Sequence, residues 1–319
     1  MSVSKTGYFT HRDCWKHEMG PGHPECPERL DAIEDRLLVS GVFDALERYD
    51  APQAATADLE LAHDRMHVAM MRGYSELLAE EVQAGGPQFS QIDPDTSINV
   101  HTWNAALRSA GAGMAATDAV MAGEIENAFC AVRPPGHHAT RNKAQGFCFF
   151  NNVSVAAKYA LERYHLQRVA VVDFDVHHGD GTENILAGDM RALMVGIFQH
   201  PFYPFCGDQN PAANMLNVPI PAYTRGMDIR EIIEMSWIPR LEEFQPEMIF
   251  ISAGFDAHRE DDMGQLGLTE QDFAWITQRI KDIAKRYSKG RIVSLLEGGY
   301  VMSPLARSVE AHIRVLADL

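Results

Sequence analysis

Five short apolar runs constrain the fold of this chain more than any other feature of its sequence. They lie at residues 127–133, 168–175, 192–198, 247–254 and 291–299. None of them alternates strictly between polar and apolar residues, so a strand formed from such a run has no face suited to water. Runs of this kind are typical of strands in a parallel sheet that is covered on both faces.

Segments with helical periodicity separate several of these runs. Apolar side chains recur at the spacing of one helix face in residues 151–164, 227–244 and 269–287. Strands that alternate with helices predict the α/β class, with a single doubly wound, mainly parallel sheet and helices on both faces. No repeat or linker interrupts the chain, so we expect one domain over residues 1–319. Stretches rich in glycine, proline, aspartate and asparagine predict loops at residues 11–28, 84–97 and 199–225.

Charge and composition exclude several classes of protein. The net charge is −16, and acidic proteins bind the phosphate backbone of nucleic acids poorly. No apolar run reaches the length of about 18 residues that a membrane span needs, and the N-terminus lacks the apolar core of a signal peptide. The five cysteines are odd in number and form no C-x-x-C pair, which disfavours a disulfide framework and a cysteine-rich zinc site. Reduced thiols in a reducing compartment are therefore expected. We therefore expect a cytoplasmic protein that binds neither nucleic acid nor membrane.

Polar, glycine-rich segments follow the apolar runs. In chain order they read PPGHHAT, VHHGDGTE, QHPFYP, FDAHRED and GGY. Open α/β sheets bind their ligands at the carboxyl edge of the strands, which is where all of these segments would lie. The segments are far apart in sequence, but the predicted fold brings them to one site.

The stretch VVDFDVHHGDG places Asp175 and His177 two positions apart at the end of a predicted strand. Residues i and i+2 of an extended segment point to the same side, so this pair offers a carboxylate and an imidazole to one point. Asp256 follows another predicted strand and would supply a third ligand. Two carboxylates and one imidazole suit a catalytic zinc ion with an open position, and they would also accept ferrous iron or cobalt.

Two adjacent histidines, His137 and His138, follow the first of the apolar runs. Asp173 and Asp180 are their expected partners, because a carboxylate on one ring nitrogen fixes the tautomer and raises the basicity of the other nitrogen. Two such pairs beside a metal-bound water would form a general base and an acidic or electrostatic partner. Tyr300 follows a glycine pair, and its phenol would stabilise a developing oxyanion.

The motifs around these aspartates favour one metal ion over two. A binuclear site of the arginase type needs D-x-H-x-D, in which the last aspartate bridges the ions, but Gly179 stands at that position. The second motif of such a site is D-x-D, whereas His258 stands two positions after Asp256. The bridging oxygens are missing, and an arginase-like ureohydrolase is therefore disfavoured.

Five blocks of the sequence are similar to the signature motifs of the zinc-dependent histone deacetylase family, which has the arginase–deacetylase fold. The blocks are RPPGHHA, GFCFFNN, DFDVHHGDGTE, SAGFDAHRED and LEGGY, in the family's order. The segment GHPECPERL resembles the substrate-rim loop in the form seen in class II members. The similarity extends from about residue 20 to residue 300, and it implies a single deacetylase domain of the bacterial amidohydrolase type.

This resemblance implies cofactors and catalytic residues. One zinc ion would be held by Asp175, His177 and Asp256. The catalytic set would comprise the tandem histidines, their carboxylate partners and the transition-state tyrosine, that is His137, His138, Asp173, Asp180 and Tyr300, with His138 the general base. Family members also carry a structural potassium ion, which oxygens around Asp173, Asp175 and His177 would hold. Gly196 and Phe198 stand where relatives usually carry serine and histidine.

The resemblance also implies a tunnel for an acyl-lysine chain. Gly146 and Phe147 would form one wall, and Tyr203 would be the opposite aromatic residue. Two aromatic rings can hold a linear methylene chain between them. Met263 matches an apolar rim position that is glutamate in the acetylpolyamine-selective animal relative, which lowers the expected preference for polyamines.

Together these observations predict a metal-dependent amidohydrolase that removes acetyl or related acyl groups from N-acylated lysine side chains or similar amines by zinc-activated water. An acetylpolyamine or other small-molecule deacetylase with the same mechanism is the alternative. A sensor that binds acylated amines without hydrolysing them is disfavoured, because every catalytic residue type is present. The expected partner is an acylated amine substrate, and a homo-oligomer is compatible with the sequence.

Overall fold

The computed structural model describes residues 5–319, and in this part of the chain it contains a parallel sheet of eight strands and a separate two-stranded hairpin. In chain order the strands are Thr6–Thr10 (β1), Leu46–Asp50 (β2), Ser90–Asp93 (β3), Thr96–Ile98 (β4), Asn127–Cys130 (β5), Val169–Asp173 (β6), Ala192–Gln199 (β7), Met215–Ile220 (β8), Met248–Ala253 (β9) and Ile292–Leu296 (β10). β3 and β4 form the antiparallel hairpin. The sheet has the order β2-β1-β5-β10-β9-β6-β7-β8.

Helices pack on both faces of the sheet. Within residues 5–319 they are Asp13–Lys16 (α1), Glu28–Val39 (α2), Thr56–Leu59 (α3), Arg65–Gln83 (α4), Thr102–Ala122 (α5), Asn152–Arg163 (α6), Asp180–Leu186 (α7), Gly226–Phe244 (α8), Glu270–Tyr287 (α9) and Met302–Leu316 (α10). α5 and α6 contact the strands from one side, whereas α9 and α10 contact them from the other. None of the helices in this range is both long and apolar enough to cross a bilayer. The architecture confirms the predicted α/β class with helices on both faces.

The five strands predicted from the apolar runs are all present, as β5, β6, β7, β9 and β10. Each is buried along its whole length, which explains the absence of a polar face in its sequence. The three predicted helices are also present, as α6, α8 and α9. At the start of α9 the side chains of Thr269 and Asp272 form a capping box, which satisfies backbone amides of the first turn.

The prediction that residues 11–28, 84–97 and 199–225 are loops throughout was wrong in part. α1 lies in the first segment, the β3–β4 hairpin begins in the second, and β8 lies in the third. β8 is an edge strand of the sheet, and its middle residues are partly exposed, so it lacks an uninterrupted apolar run. β2 forms the opposite edge and is mostly exposed for the same reason.

The four strands β5, β10, β9 and β6 are neighbours at the centre of the sheet, and their carboxyl ends are level. In register, Leu295 of β10 pairs with Cys130 of β5 and with Ser252 of β9, which in turn pairs with Asp173 of β6. The polar segments that follow these strands therefore start from one row across the sheet. This row fixes the location of the site described below.

A buried histidine joins two helices to a central strand. His312 of α10 is inaccessible to water; its Nδ1 lies 2.6 Å from Oγ1 of Thr277, and its Nε2 lies 2.9 Å from Oγ of Ser294. The Thr277 hydroxyl donates to the carbonyl oxygen of Phe273, so it accepts from Nδ1–H, and Nε2 accepts from Ser294. The neutral ring is fully hydrogen-bonded, and burial lowers the pKa of His312 to about 3.

We predict that His312 destabilises the fold as the pH falls below about 6.5, the ordinary pKa of histidine. The unfolded chain binds a proton at this ring near that pH, whereas the folded chain binds it only near pH 3. By linkage, the ring should lower the free energy of unfolding by about 2 kcal/mol between pH 7.5 and pH 5. In urea unfolding, a His312→Gln variant should lose about 2 kcal/mol less than the wild type over this range. Parallel pH profiles of the two proteins would contradict a neutral ring.

Candidate active site

The residues singled out from the sequence converge at the carboxyl edge of the sheet. The structure brings together Asp173, Asp175, His177 and Asp180 at or after the end of β6, His137 and His138 after β5, Asp256 after β9 and Tyr300 after β10. All of these residues except Asp180 and Tyr300 are buried, and those two are partly buried. The convergence follows from the order of the strands, because β5, β10, β9 and β6 are adjacent.

Asp175, His177 and Asp256 form a compact triad. Nδ1 of His177 lies 3.1 Å from Oδ1 of Asp175 and 3.1 Å from Oδ2 of Asp256. One potential ligand atom from each residue lies within 4.8 Å of the other two. Burial opposes a charge on the imidazole, but the two carboxylates raise the pKa of His177 to about 10. Burial and the charge of Asp175 raise the pKa of Asp256 to about 7.

Backbone amides hold both carboxylates of this triad. Oδ2 of Asp175 accepts a hydrogen bond from the amide of Gly298 at 2.9 Å, and Oδ1 of Asp256 accepts one from the amide of Val176 at 2.9 Å. A Cβ atom on Gly298 would lie 2.1 Å from Oδ2 of Asp256 and 2.6 Å from Oδ2 of Asp175. Glycine is therefore required at this position for the last loop to close over the two carboxylates.

The donor set of the triad fits a catalytic zinc ion. Such ions use three protein ligands drawn from imidazole nitrogens and carboxylate oxygens, and they keep a fourth position for water or substrate. Within residues 5–319 this is the single grouping of three or more potential metal-ligand side chains. His177 also lines the apolar cavity described below, so the fourth position would face that cavity.

His137 pairs with the carboxylate of Asp173, the last residue of β6. Its Nδ1 lies 3.0 Å from Oδ2 of Asp173, and its Nε2 lies 3.8 Å from Oδ2 of Asp175. Burial disfavours the charged ring, but the charges of Asp175 and Asp173 raise the pKa of His137 well above its ordinary value. Burial raises the pKa of Asp173.

His138 has a similar partner but a different environment. Its Nδ1 lies 2.8 Å from Oδ1 of Asp180, and Nε2 of Gln145 donates to the other oxygen of that carboxylate at 2.7 Å. The carboxylate accepts from Nδ1–H, so Nε2 of the ring carries a lone pair. Burial and the neighbouring His137 lower the pKa of His138 to about 4. The pKa values of the two adjacent histidines are thus shifted in opposite directions.

Tyr300 lines the same cavity as His138 and His177. Its backbone amide donates to Oδ2 of Asp261 at 2.7 Å, which fixes the start of the loop that carries the ring. Burial and the charge of Asp256 raise the pKa of the Tyr300 phenol well above 10, so the hydroxyl keeps its proton. A protonated phenol can donate a hydrogen bond to an oxyanion.

A buried arginine that the sequence analysis missed supports this tyrosine. Nε of Arg29 donates to the carbonyl oxygen of Gly299 at 2.6 Å, and its NH2 group donates to that of Glu297 at 2.5 Å. The guanidinium lies 4.9 Å from the centroid of the Tyr300 ring, within range of a cation–π interaction. Arg29 therefore joins the loop after β10 to the start of α2.

Charge compensation for Arg29 comes from the rim loop. Glu25 contacts Arg29 at 3.1 Å and Arg133 at 2.7 Å, and all three side chains are inaccessible to water. Burial alone would favour the neutral acid, but the charge of Arg133 lowers the pKa of Glu25 far below its ordinary value. The motifs GHPECPERL and RPPGHHA contain these residues. Only the tertiary structure shows that they pair.

An apolar cavity of about 260 Å³ leads to His138, His177 and Tyr300. Phe147 and Tyr203 line it, as does Gly146, and Phe202 is a further aromatic residue that the sequence analysis missed. A Cβ atom on Gly146 would lie 2.6 Å from the His138 ring and 2.9 Å from the Tyr203 hydroxyl. Glycine is thus required where this wall approaches the histidine. The walls suit a linear methylene chain.

Two carboxylates and a methionine complete the lining of this cavity. Asp95 lies in the turn between β3 and β4, and Asp262 and Met263 lie in the loop after β9. Both aspartates are exposed, and an exposed loop aspartate gives no distinguishing signal in a sequence. A larger cavity of about 440 Å³ is also lined by Tyr300, but by none of the other predicted catalytic or metal-binding residues.

Two histidines of the motifs lie outside the cluster. Nε2 of His178 lies 2.6 Å from Oε2 of Glu183, and its ring packs against Phe198 with 4.5 Å between the centroids. Nε2 of His258 lies 3.5 Å from a carboxylate oxygen of Glu270, so this ring faces away from the Asp-His-Asp triad. Neither histidine adds a ligand to that triad.

This arrangement, in which two His–carboxylate pairs and a phenol surround a zinc-type triad at the end of an apolar cavity, defines the chain as a hydrolase of the metal-dependent class. The family follows from comparison with known sequences. The histone deacetylase domain matches residues 23–316. The chain therefore belongs to the histone deacetylase family, whose members are zinc-dependent deacetylases and related amidohydrolases.

Relatives occur in archaea, bacteria and animals. The chain is 38% identical to a probable deacetylase of Archaeoglobus fulgidus over 92% of its length and 81% of that protein. It is 33% identical to the histone deacetylase-like amidohydrolase of Pseudomonas aeruginosa, with 93% and 82% covered. It is also 33% identical to the human polyamine deacetylase HDAC10, with 98% of this chain and 48% of that protein covered.

The solved HD domain of HDA15 has the same architecture. It superposes with a TM-score of 0.90 over 99% of this chain and 90% of that chain, at 31% sequence identity. A similarity that covers both chains almost completely confirms the arginase–deacetylase fold.

Glu297 is a further buried carboxylate of the site, and it contacts the backbone at Gly136 and at the first of the tandem histidines. Its Oε2 accepts from the amides of Gly136 at 2.7 Å and His137 at 3.1 Å, and its Oε1 accepts from the Ser252 hydroxyl at 3.1 Å. Burial raises the pKa of Glu297 to about 7. The carboxylate thus joins the loops after β5 and β10.

We predict that Glu297→Ala lowers the free energy of unfolding by about 3 to 5 kcal/mol, because it leaves two buried amide donors without an acceptor. Glu297→Gln keeps one carbonyl oxygen for both amides and should cost about 1 kcal/mol. Urea unfolding at pH 7.5 measures the difference. Equal losses for the two variants would show that the hydrogen bonds to the amides do not stabilise this loop.

Proposed function

We propose that this chain hydrolyses acetyl or related acyl groups from N-acylated lysine side chains or similar linear amines. One observation carries the proposal: Tyr300, His138 and His177 line the same apolar cavity. An amide at the inner end of that cavity would meet a hydrogen-bond donor, a general base and a metal ligand together. The deacetylase family to which the chain belongs supports this chemistry.

Asp175, His177 and Asp256 are the residues that would hold the catalytic zinc ion. When bound there, zinc would polarise the amide carbonyl and lower the pKa of a water molecule to about 7. The amides of Gly298 and Val176 keep the two carboxylates oriented. Hydrogen bonds of this kind fix ligand geometry and tune ligand basicity.

His138 is the proposed general base. Asp180 accepts from Nδ1–H of this ring, which leaves Nε2 as the atom that takes a proton from the attacking water. His137, held by Asp173, is the proposed electrostatic partner, and a histidine of this pair returns a proton to the leaving amine. The different environments of the two rings support the division of roles.

Tyr300 is proposed to donate a hydrogen bond from its phenol to the oxyanion that forms as the carbonyl is attacked. Arg29 and Asp261 hold the backbone on which this ring is mounted, through the carbonyl of Gly299 and the amide of Tyr300. A donor that is oriented before the reaction stabilises the developing charge without reorganisation. The aromatic walls at Phe147 and Tyr203 would hold the methylene chain of the substrate.

We predict that Tyr300→Phe lowers kcat for an acetyl-lysine reporter peptide by about 10²- to 10³-fold, as expected for the loss of one oxyanion donor. Zinc content should be unchanged, since the phenol is not among the proposed ligands. Acetate release and metal analysis on the same sample measure both quantities. Turnover that equals that of the wild type would refute the role of the phenol.

Acetylated polyamines are a second candidate substrate class, and two carboxylates at the cavity favour them. Asp95 and Asp262 line the cavity and could attract the distal ammonium group of a polyamine. The net charge of −16 would favour cationic substrates in general. The human relative is named a polyamine deacetylase, although Met263 here lacks the charge expected for that preference.

We predict that Asp262→Asn lowers kcat/KM for an N-acetylated polyamine about two- to fivefold at low salt, because one exposed charge interaction contributes up to about 1 kcal/mol. An uncharged acetyl-lysine peptide should be unaffected. Asp44→Asn, at the amino end of the sheet, is the matched control. Equal effects on the two substrates, or no effect on either, would remove the argument for polyamines.

Two expectations from the family resemblance remain part of this proposal. The whole chain, residues 1–319, would form one deacetylase domain. A structural potassium ion would lie near Asp173, whose neighbour in the strand register is Gly196. Because glycine supplies no side-chain oxygen, that ion would depend on the backbone and carboxylate oxygens around Asp173, Asp175 and His177.

A further inference from the structure

Residues with a left-handed backbone fall into two groups in this chain. Within residues 5–319, eight residues other than glycine have a positive φ angle. Four of them follow the last turn of a helix, where a left-handed residue commonly ends the helix; they are His165, Gln245, Lys289 and Asp318. Asn210 is a fifth, and asparagine adopts this conformation more readily than most residues. The remaining three are aromatic, and none of them ends a helix of this range.

The three aromatic residues are Phe147, Phe205 and Tyr223, with φ angles of 69°, 61° and 67°. This conformation is strained for a bulky side chain, because its Cβ atom lies too close to the following carbonyl oxygen. Phe147 lines the apolar cavity. Phe205 and Tyr223 are instead 73% and 75% exposed, whereas every other phenylalanine in residues 5–319 is buried or half-buried. The strain at these two positions therefore brings the free chain little packing in return.

Phe205 lies in the loop after β7, in which Phe202 and Tyr203 line the cavity. The amide of Phe205 donates to the carbonyl oxygen of Phe202 at 2.7 Å. On the other side of the ring, Nδ2 of Asn217 in β8 donates to the carbonyl oxygen of Gly207 at 2.9 Å. The exposed ring is thus carried by a backbone that is held on both sides, next to a wall of the cavity.

Tyr223 lies in the loop after β8, and hydrogen bonds join this loop to another part of the cavity rim. Its amide donates to the carbonyl oxygen of Gln265 at 2.7 Å, and the amide of Gly267 donates to the carbonyl oxygen of Thr224 at 2.9 Å. The segment that it contacts follows Met263, which lines the cavity. Both strained rings therefore belong to loops that are fixed at the entrance of the proposed substrate site.

Exposed carboxylates accompany both loops. Asp208 follows Phe205 in the same loop, Asp262 precedes the segment that pairs with Tyr223, and Asp95 lines the cavity. The residues that line the cavity within residues 5–319 include no lysine or arginine. Faces of aromatic rings and carboxylates both attract cationic groups. The chemistry of this rim therefore suits basic side chains.

We propose that Phe205 and Tyr223 bind basic residues that flank an acyl-lysine in a peptide, while the acyl-lysine side chain occupies the cavity. This inference rests on the proposed function and specifies its substrate class as a basic peptide, in preference to a free acylated amine. Each ring would stack on a guanidinium or ammonium group of the peptide, and Asp208 and Asp262 would balance the added positive charge. The peptide supplies the packing that the two rings lack in the free chain.

The first test compares two substrates of the zinc-loaded chain. One is an acetyl-lysine peptide with arginines on both sides, and the other is Nα-acetyl-Nε-acetyl-lysine methylamide, which has no flanking residues. Phe205→Gly and Tyr223→Gly should each lower kcat/KM for the peptide about two- to fivefold, mainly through a higher KM, because one exposed cation–π contact is lost. Hydrolysis of the methylamide should be unchanged, and Phe205→Tyr, which keeps the ring, should behave like the wild type on both substrates.

His165→Gly is the matched control. His165 is also exposed and has a positive φ, but it precedes β6 at the opposite edge of the sheet. All three glycine variants should keep or raise the melting temperature, because glycine adopts this conformation without strain. Only the two rim variants should lose activity on the peptide. A lower melting temperature for Phe205→Gly or Tyr223→Gly would show that the ring stabilises the free chain, and it would overturn the proposal.

The second test reverses the charge of the peptide. Glutamates in place of the arginines should lower kcat/KM for the wild-type chain, and neither rim substitution should lower it further. Equal hydrolysis of the two peptides, equal losses on peptide and methylamide, or no loss on either would overturn this inference and leave the proposed function in place. A wild-type chain that releases acetate from none of the three substrates would instead refute the proposed function, and this inference with it.

Discussion

The structure depends on a concentration of buried negative charge at the carboxyl edge of the sheet. Asp173, Asp175, Asp256 and Glu297 are all buried there, and burial of a carboxylate is costly unless hydrogen bonds or positive charges compensate it. Backbone amides of the connecting loops and the imidazole of His177 supply part of that compensation, and the metal ion that the donor set fits would add to it. The need to satisfy these carboxylates explains why the loops after four different strands are held so close together.

A second buried network connects this site to the rim loop. Arg29, Glu25 and Arg133 are completely buried and hydrogen-bonded to one another or to backbone carbonyls. Removal of one partner from such a network leaves an uncompensated charge, so its geometry is strongly determined. Because Arg29 contacts both the loop before Tyr300 and the face of its ring, the orientation of the phenol depends on residues that are far from it in sequence.

On the surface, α4 contains local features that disfavour an isolated helix. In α4 the order of charges and the central glycine both disfavour an isolated helix, although the helix packs well through Val68, Met71 and Leu78. At the catalytic edge, Gly146 and Gly298 are explained by close approach within the chain. Gly73 has no such explanation, because a Cβ atom there would meet nothing within 4 Å.

The sequence by itself determined the α/β class, the five central strands and the residue types of the site, because buried parallel strands need continuous apolar runs and metal or proton chemistry needs particular side chains. It did not determine the edge strands β2 and β8, whose partial exposure removes that signal. Nor did it identify Arg29, Phe202, Asp262 or Glu297 as parts of the site. Their roles arise from contacts between segments up to 270 residues apart, and only the tertiary structure decides which buried charges pair and which loop residues line a cavity.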